Sequence, residues 1–220
     1  MISRTLITIL TWNRLEQYTK QTISTLLEQN KKNLPDLIFI DNGSTDGTPG
    51  WLKKRGYEVI CNDGNEGIFH GTRKVWLEAL KRGYDFVLNL QNDFPCLAPI
   101  PFEDIYRYLD EHDDIGFVRL NEKKKKKGRD INKITSKKLK FGDWEKCGKT
   151  YFSKNNHQFS FNPNLFKASM IDRLVNPVEK AREWQVAERC EQMGLKAAKL
   201  KKPCPCFKTF IRPRVKDWIH

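Results

Sequence analysis

The chain has 220 residues, 39% of them hydrophobic, with 40 lysines and arginines against 27 acids and a formal charge of +13. That length suffices for one domain with a proper core, and no apolar run approaches the ~20 residues of a membrane span. The charge suggests a polyanionic partner (nucleic acid, an anionic membrane surface or phosphorylated substrates), with a plain solvated surface as the alternative. In chain order, Leu6–Leu10 reads as a strand. It starts almost at the N-terminus, without the small-residue cleavage site of a signal peptide, so the expectation is a cytoplasmic protein, at most peripheral on a membrane. Leu15–Gln29 reads as a helix, Leu37–Ile40 as a strand, Thr48–Arg55 as a short helix and Tyr57–Cys61 as a strand. Gly67–Arg82 is a helix with Val75, Trp76, Ala79 and Leu80 apolar, and Phe86–Leu90 is the fourth strand. Strands separated by helices predict βαβ units and a mainly parallel sheet.

Beyond Asp93 the pattern changes. Pro95, Pro99 and Pro101 precede a helix near Glu103–Glu111, and Ile115–Leu120 reads as a strand. Lys123–Arg129 opens a polar, lysine-rich stretch to about Lys149, expected to be an excursion outside the sheet. A strand near His157–Pro163, helices near Leu165–Leu174 and Val178–Met193, and short strands near Ala197–Leu200 and Cys206–Ile211 complete the reading. The six cysteines are scattered singly apart from Cys204 and Cys206. A lone Cys-x-Cys gives no zinc site, so reduced, packed thiols are expected.

The segment Leu37–Gly47 carries the most information. Its apolar run stops at Asp41, and Asn42, Gly43, Ser44, Thr45, Asp46 and Gly47 follow, all turn formers or caps. A buried strand thus delivers a carboxylate to its C-terminal tip, where open α/β sheets bind ligands. The fourth strand ends likewise in Gln91-Asn92-Asp93. Asp41 at its tip reads either as a contact for a nucleotide base or as the cap of its own loop. Asp93 reads as a hard oxygen ligand for Mg2+ or Mn2+, or as a turn cap before Pro95. Gly43 and Gly47 allow positive φ and close backbone approach.

Four motifs in order resemble family 2 glycosyltransferases of the GT-A fold: Thr11-Trp12-Asn13-Arg14, Asp41–Thr48, Asn65-Glu66-Gly67 with Arg73, and Gln91-Asn92-Asp93 at the place of the family's Asp-x-Asp motif. The resemblance is close over residues 5–95 and traceable to about 200. It implies a single GT-A-like α/β domain, Rossmann-related, with a mostly parallel sheet flanked by helices. Residues 1–95 would bind the nucleotide sugar, and 96–220, with the basic excursion at 121–150, would face the acceptor. It further implies a donor site of Thr11, Trp12, Arg14, Asp41, Asn42, Gly43, Asn65, Gly67, Arg73, Gln91 and Asn92. Asp93 and His220 would be metal ligands for Mn2+ or Mg2+, and Glu183, with Glu188 as the spare, the catalytic base. Gln91 and Trp184 depart from the family pattern, each standing where an acid is common. His70 and His157 are weighed as phosphate-side and acceptor-side residues against plain surface roles.

The resulting expectation is a metal-dependent, inverting transferase that moves a sugar from a nucleotide diphosphate sugar, UDP-linked, to an acceptor hydroxyl. A carbohydrate or lipid-linked acceptor ranks first. The alternatives are hydroxylated bases of DNA, or a non-catalytic module that binds nucleotide sugar or nucleic acid.

Overall fold

The computed structural model describes residues 4–121, 141–155, 159, 161, 163–175, 183–201 and 206–207. Among the described residues nine strands form one continuous sheet: β1 (Thr5–Thr11), β2 (Asp36–Asp41), β3 (Glu58–Cys61), β4 (Phe86–Gln91), β5 (Ile115–Arg119), β6 (Phe141–Cys147), β7 (Thr150–Asn155), β8 (Asn164–Lys167) and β9 (Lys196–Leu200). The spatial order is β3-β2-β1-β4-β8-β5-β9-β7-β6. The first four strands are all parallel. Further out the sheet is mixed: β8 runs antiparallel to both β4 and β5, β9 is parallel to β5, and the β6–β7 hairpin is antiparallel to β9 at its inner strand. β1 is buried along its whole length, as a central strand covered on both faces must be.

Helices α1 (Lys20–Gln29), α2 (Thr48–Lys54) and α4 (Phe102–Glu111) cover one face, where Ile23, Leu26, Leu52, Ile105 and Leu109 share a core with Ile9, Phe39 and Leu88. Helices α3 (Gly67–Lys81), α5 (Ile171–Val175) and α6 (Glu183–Gln192) cover the other, through Val75, Trp76, Ile171, Leu174, Val186 and Cys190. Trp76 is fully buried, with its ring centroid 5.2 to 6.0 Å from those of Phe159, Phe161 and Phe166. Truncating an aromatic so enclosed costs roughly 3–5 kcal/mol. Among the described residues Cys96, Cys147, Cys190 and Cys206 are buried free thiols, and Cys61 is an exposed one.

Four expectations need correction. Leu15–Gln29 is not one regular helix: Leu15–Thr19 is a π-turn that leads into α1. Leu165–Leu174 is not a helix: β8, a short 3₁₀ turn (Ala168–Met170) and α5 replace it. The open edges of β4 and β5 capture Asn164–Lys167 from both sides, and that pairing overrides a spacing that also fits a helix. The basic excursion ends earlier than expected, because Phe141–Cys147 is already sheet. Of the strand expected near His157–Pro163, the described residues Phe159, Phe161 and Pro163 lie outside any strand. Lys123–Arg129, Cys204, His157 and His220 lie outside the described residues.

Candidate active site

The site builds up from the exit of β1. Asn13 and Arg14 both adopt left-handed backbone, with φ of 53° and 61°. Two consecutive non-glycine residues in that region hold strain of order 1–2 kcal/mol each, and something must hold them there. Side chains of the neighbouring loop do so. The Asn13 N–H donates to Ser44 Oγ at 2.7 Å, Asn13 Oδ1 accepts from the Thr45 N–H at 2.8 Å, and the Leu15 N–H donates to Asp46 Oδ2 at 2.7 Å. Behind them the Asn92 amide donates to the Asn13 carbonyl and to Thr19 Oγ1, each at 3.0 Å. A π-turn directly after this pair fits the usual association of such turns with functional sites. The result is that Trp12, 40% exposed, stands out at the carboxyl edge of the sheet.

Asp41 is 1% exposed. Its Oδ2 accepts the Ser44 N–H at 2.8 Å, and its Oδ1 lies 3.0 Å from the Thr11 hydroxyl, which is also 3.2 Å from the Ile40 carbonyl. The carboxylate thus caps its own loop through Ser44 and Thr11. Asn42, 2% exposed, is committed inward too. Its amide donates to Asn65 Oδ1 at 2.8 Å, while its Oδ1 accepts from Asn62 Nδ2 at 3.1 Å and from the Glu66 N–H at 3.2 Å. Asn65 Oδ1 also takes the Gly67 N–H at 2.9 Å, closing the start of α3. Gly43, at φ 74°, lies against Gly64 so closely that a Cβ there would sit 2.5 Å from the Gly64 Cα. Asn42, Asn65 and Gly43 thus weld the loops after β2 and β3 together.

At the β4 tip, Asn92 faces β1 and its amide is consumed there. Gln91 Nε2 donates to the Phe161 carbonyl at 3.0 Å, as does Asn89 Nδ2 at 3.1 Å, so both amides pin the backbone at Phe161. Asp93, 5% exposed, is the carboxylate at this tip. Among the described residues no three histidine, cysteine or acidic side chains cluster to hold a metal ion. The donor set fits a divalent cation only as one protein carboxylate, the rest of the shell coming from diphosphate and water.

Burial alone would raise Asp46, but the Thr48 hydroxyl and the Leu15 and Thr48 N–H groups hold it below the ordinary carboxylate value. Arg73 is half-buried on α3. His70, on the same helix, has its Nε2 4.0 Å from Glu66 Oε2. The outer acids come to the same end of the sheet by topology. β5 and β9 run in the direction of β4, so α6, which leads back into β9, opens at the carboxyl edge. Glu183 is its first described residue, and Trp184 and Glu188 are exposed. The structure thus gathers Thr11, Trp12, Arg14, Asp41, Asn65, Asp93 and Glu183 at one end of the sheet. Reading the sequence missed Asn13, Ser44, Asp46 and Asn62 as the lacing. Of these, only Asp46-Gly47-Thr48 carried a signal, as a cap ahead of a helix.

The model of the family described as "Glycosyl transferase family 2" matches residues 6–170. No curated protein sequence matches the chain. Among solved structures, mannosyltransferase PcManGT from Pyrobaculum calidifontis, in complex with GDP-Man and Mn2+, superimposes with a TM-score of 0.62 at 16% identity, over 90% of this chain and 54% of that one. S. aureus TarS 1-349 in complex with UDP-GlcNAc gives 0.65 at 15% identity, over 97% and 59%. GalNAc-T7 with UDP, GalNAc and Mn2+ gives 0.62 at 13%, over 94% and 43%. These likenesses show the fold, and the chain spans about half the length of each.

Proposed function

Because the chain belongs to glycosyl transferase family 2, we propose that it moves a sugar from a nucleoside diphosphate sugar, UDP-linked, to an acceptor hydroxyl. The observation that carries this reading is the laced edge itself: strained backbone is held so that an exposed Trp12 and the Asp93 carboxylate share one end of the sheet. The solved neighbours that hold GDP-Man, UDP-GlcNAc or UDP support the donor class, and two of them hold Mn2+.

The Trp12 indole stacks on the base. Asp41 shapes the base edge through Ser44 and Thr11, and Arg14 offers its guanidinium to the diphosphate. Asp93 would hold a Mn2+ or Mg2+ ion, which offsets the negative charge on the departing diphosphate. Glu183, with Glu188 as the alternative further along α6, takes the proton of the acceptor hydroxyl as that hydroxyl's oxygen bonds to the anomeric carbon. The bond to the phosphate oxygen breaks, the nucleoside diphosphate leaves, and the anomeric centre inverts. The acceptor is a carbohydrate or lipid-linked saccharide. Gln91 favours a second reading, a non-catalytic nucleotide-sugar module, because its amide is engaged with Phe161 at the place of an acid.

Calorimetric titration of UDP and GDP with and without Mn2+, paired with turnover of UDP sugars, tests both readings. Mn2+ is expected to tighten UDP binding about tenfold, or roughly 1.4 kcal/mol, in the parent and not in Asp93→Asn. An undiminished Mn2+ effect in Asp93→Asn would remove Asp93 from the site. Nucleotide binding without turnover of any UDP sugar would select the non-catalytic module.

A further inference from the structure

The far end of the sheet presents a face that the donor site does not use. Register places Lys201, Tyr151 and Lys146 side by side across β9, β7 and β6: the Lys201 N–H donates to the Tyr151 carbonyl at 2.9 Å, and Lys146 pairs with Tyr151. The next row on that face is Lys199, Ser153 and Trp144, of which Ser153 is fully buried, Lys199 half-buried and Trp144 exposed. Directly paired residues point to one side of a sheet, so these six share a face. The residues between them point the other way. Phe152 stacks on Tyr108 of α4 with ring centroids 4.1 Å apart, and Cys147 Sγ lies 3.6 Å from the Asp104 carbonyl.

The composition of this face does not suit a spare solvated surface. Trp144 and Tyr151 are 41% and 39% exposed on the terminal hairpin. Lys201 Nζ lies 4.7 Å from the Tyr151 ring centroid and 6.0 Å from that of Trp144, so its charge sits beside both rings. Three of the six residues are lysines and none is acidic. Of the nearby acids, Glu145 pairs with His112 and Asp114 with Lys154 and Lys196, while Asp143 is exposed on β6 beside Trp144. Stacking rings combined with ammonium groups take a ligand that alternates flat, weakly polar rings with negative charge. An edge strand that presents lysines also blocks pairing with another strand, which leaves the face, rather than the edge, for binding.

We propose that Trp144, Lys146, Tyr151 and Lys201 form a docking platform for an anionic glycan, one bearing carboxylates or phosphates. The platform holds the acceptor chain on the acceptor half of the protein while its terminal hydroxyl is glycosylated. The assignment rests on the glycosyltransferase reading. That reading is what favours a glycan over the single-stranded nucleic acid to which such a platform would also be suited.

Affinity electrophoresis of the full chain tests it, in gels containing hyaluronan as the polyanionic glycan, dextran as the neutral one, or neither, with oligo(dT) as a solution competitor. Hyaluronan is expected to retard the parent at least fivefold more strongly than dextran does, with retardation falling as salt rises. W144A/Y151A is expected to lose most of that retardation, and K146S/K201S to lose both retardation and its salt dependence. Both variants should retain the parent's hydrolysis of UDP sugars and its melting temperature within a few degrees. Two separate pairs keep the test open if one of them folds poorly. Equal retardation of parent and variants, or equal retention by dextran and hyaluronan, overturns the platform. Displacement by oligo(dT) at a lower concentration than hyaluronan overturns the glycan and assigns the face to nucleic acid. Retardation lost in the variants, together with no UDP-sugar turnover in the parent, would confirm the platform and overturn the transferase reading instead.

Discussion

Replacing Asp41 separates loop capping from ligand contact. In Asp41→Ala the Ser44 N–H loses a charged acceptor at 2.8 Å, a bond of the class that contributes about 1.5–3 kcal/mol. The Thr11 hydroxyl loses less, because the Ile40 carbonyl is already 3.2 Å away and takes its proton. Ser44 is only partly buried, so its freed N–H reaches water and the loss falls toward the lower bound. The expected cost is about 2 kcal/mol. At about 2–4 °C per kcal/mol for a chain of this size, that lowers the melting temperature of the nucleotide-free protein by roughly 4–8 °C. Asp41→Asn keeps the shape: its oxygen accepts from Ser44, and its NH2 donates to Thr11, which turns to Ile40. About half the loss, or less, is then expected, with UDP binding retained. Thermal unfolding without ligand and UDP calorimetry measure the two effects separately. If Asp41→Ala melts with the parent while UDP binding disappears, the carboxylate meets the base directly and the loop bonds contribute nothing.

Two further outcomes follow from the same loops. Asp46 is held below the ordinary carboxylate value, so its contribution is complete above the unfolded value of about 4 and is lost as pH falls through the folded one. Asp46→Asn is therefore expected to melt below the parent at pH 7, and the gap should narrow as pH falls below about 4; a constant gap would remove the charge from the explanation. Gly43→Ala is expected to cost at least about 2 kcal/mol in urea unfolding, from left-handed strain plus the approach to Gly64. Gly47→Ala, with φ 84° and open space around it, should cost about half as much, and equal costs would mean the Gly64 contact yields freely.

The nucleotide half was legible because β1, β2 and β4 are nearly continuous apolar runs with turn residues at their ends. The outer half was not. β8 holds Asn-Leu-Phe-Lys in only four residues, too short for a period, and the apolar spacing that follows suits a helix equally well. The β6–β7 hairpin hides its alternation because its outward face carries Trp144, Lys146 and Tyr151 in place of a uniformly polar set. At the site, composition identified the right strand tips but not what each side chain does there. Asn42 and Asn92 look like ligand groups in sequence. Their amides are spent on Asn65 and on Asn13 and Thr19, which lie 23 to 79 positions away. Only the folded backbone brings such partners together.

The crossing bonds between the loops after β1, β2 and β3 also bear on how the protein breathes. The amide hydrogens of Asn13, Leu15, Ser44, Thr45, Thr48, Glu66 and Gly67 are each held by a side chain, most of them from another loop. None of these loops can therefore peel away alone. Opening one releases the caps of the others, so the edge opens as a single cooperative unit whose amides exchange with solvent together. A nucleotide that touches any one loop then protects all three. The ordering cost that a set of independent loops would incur on binding is already met in the empty protein.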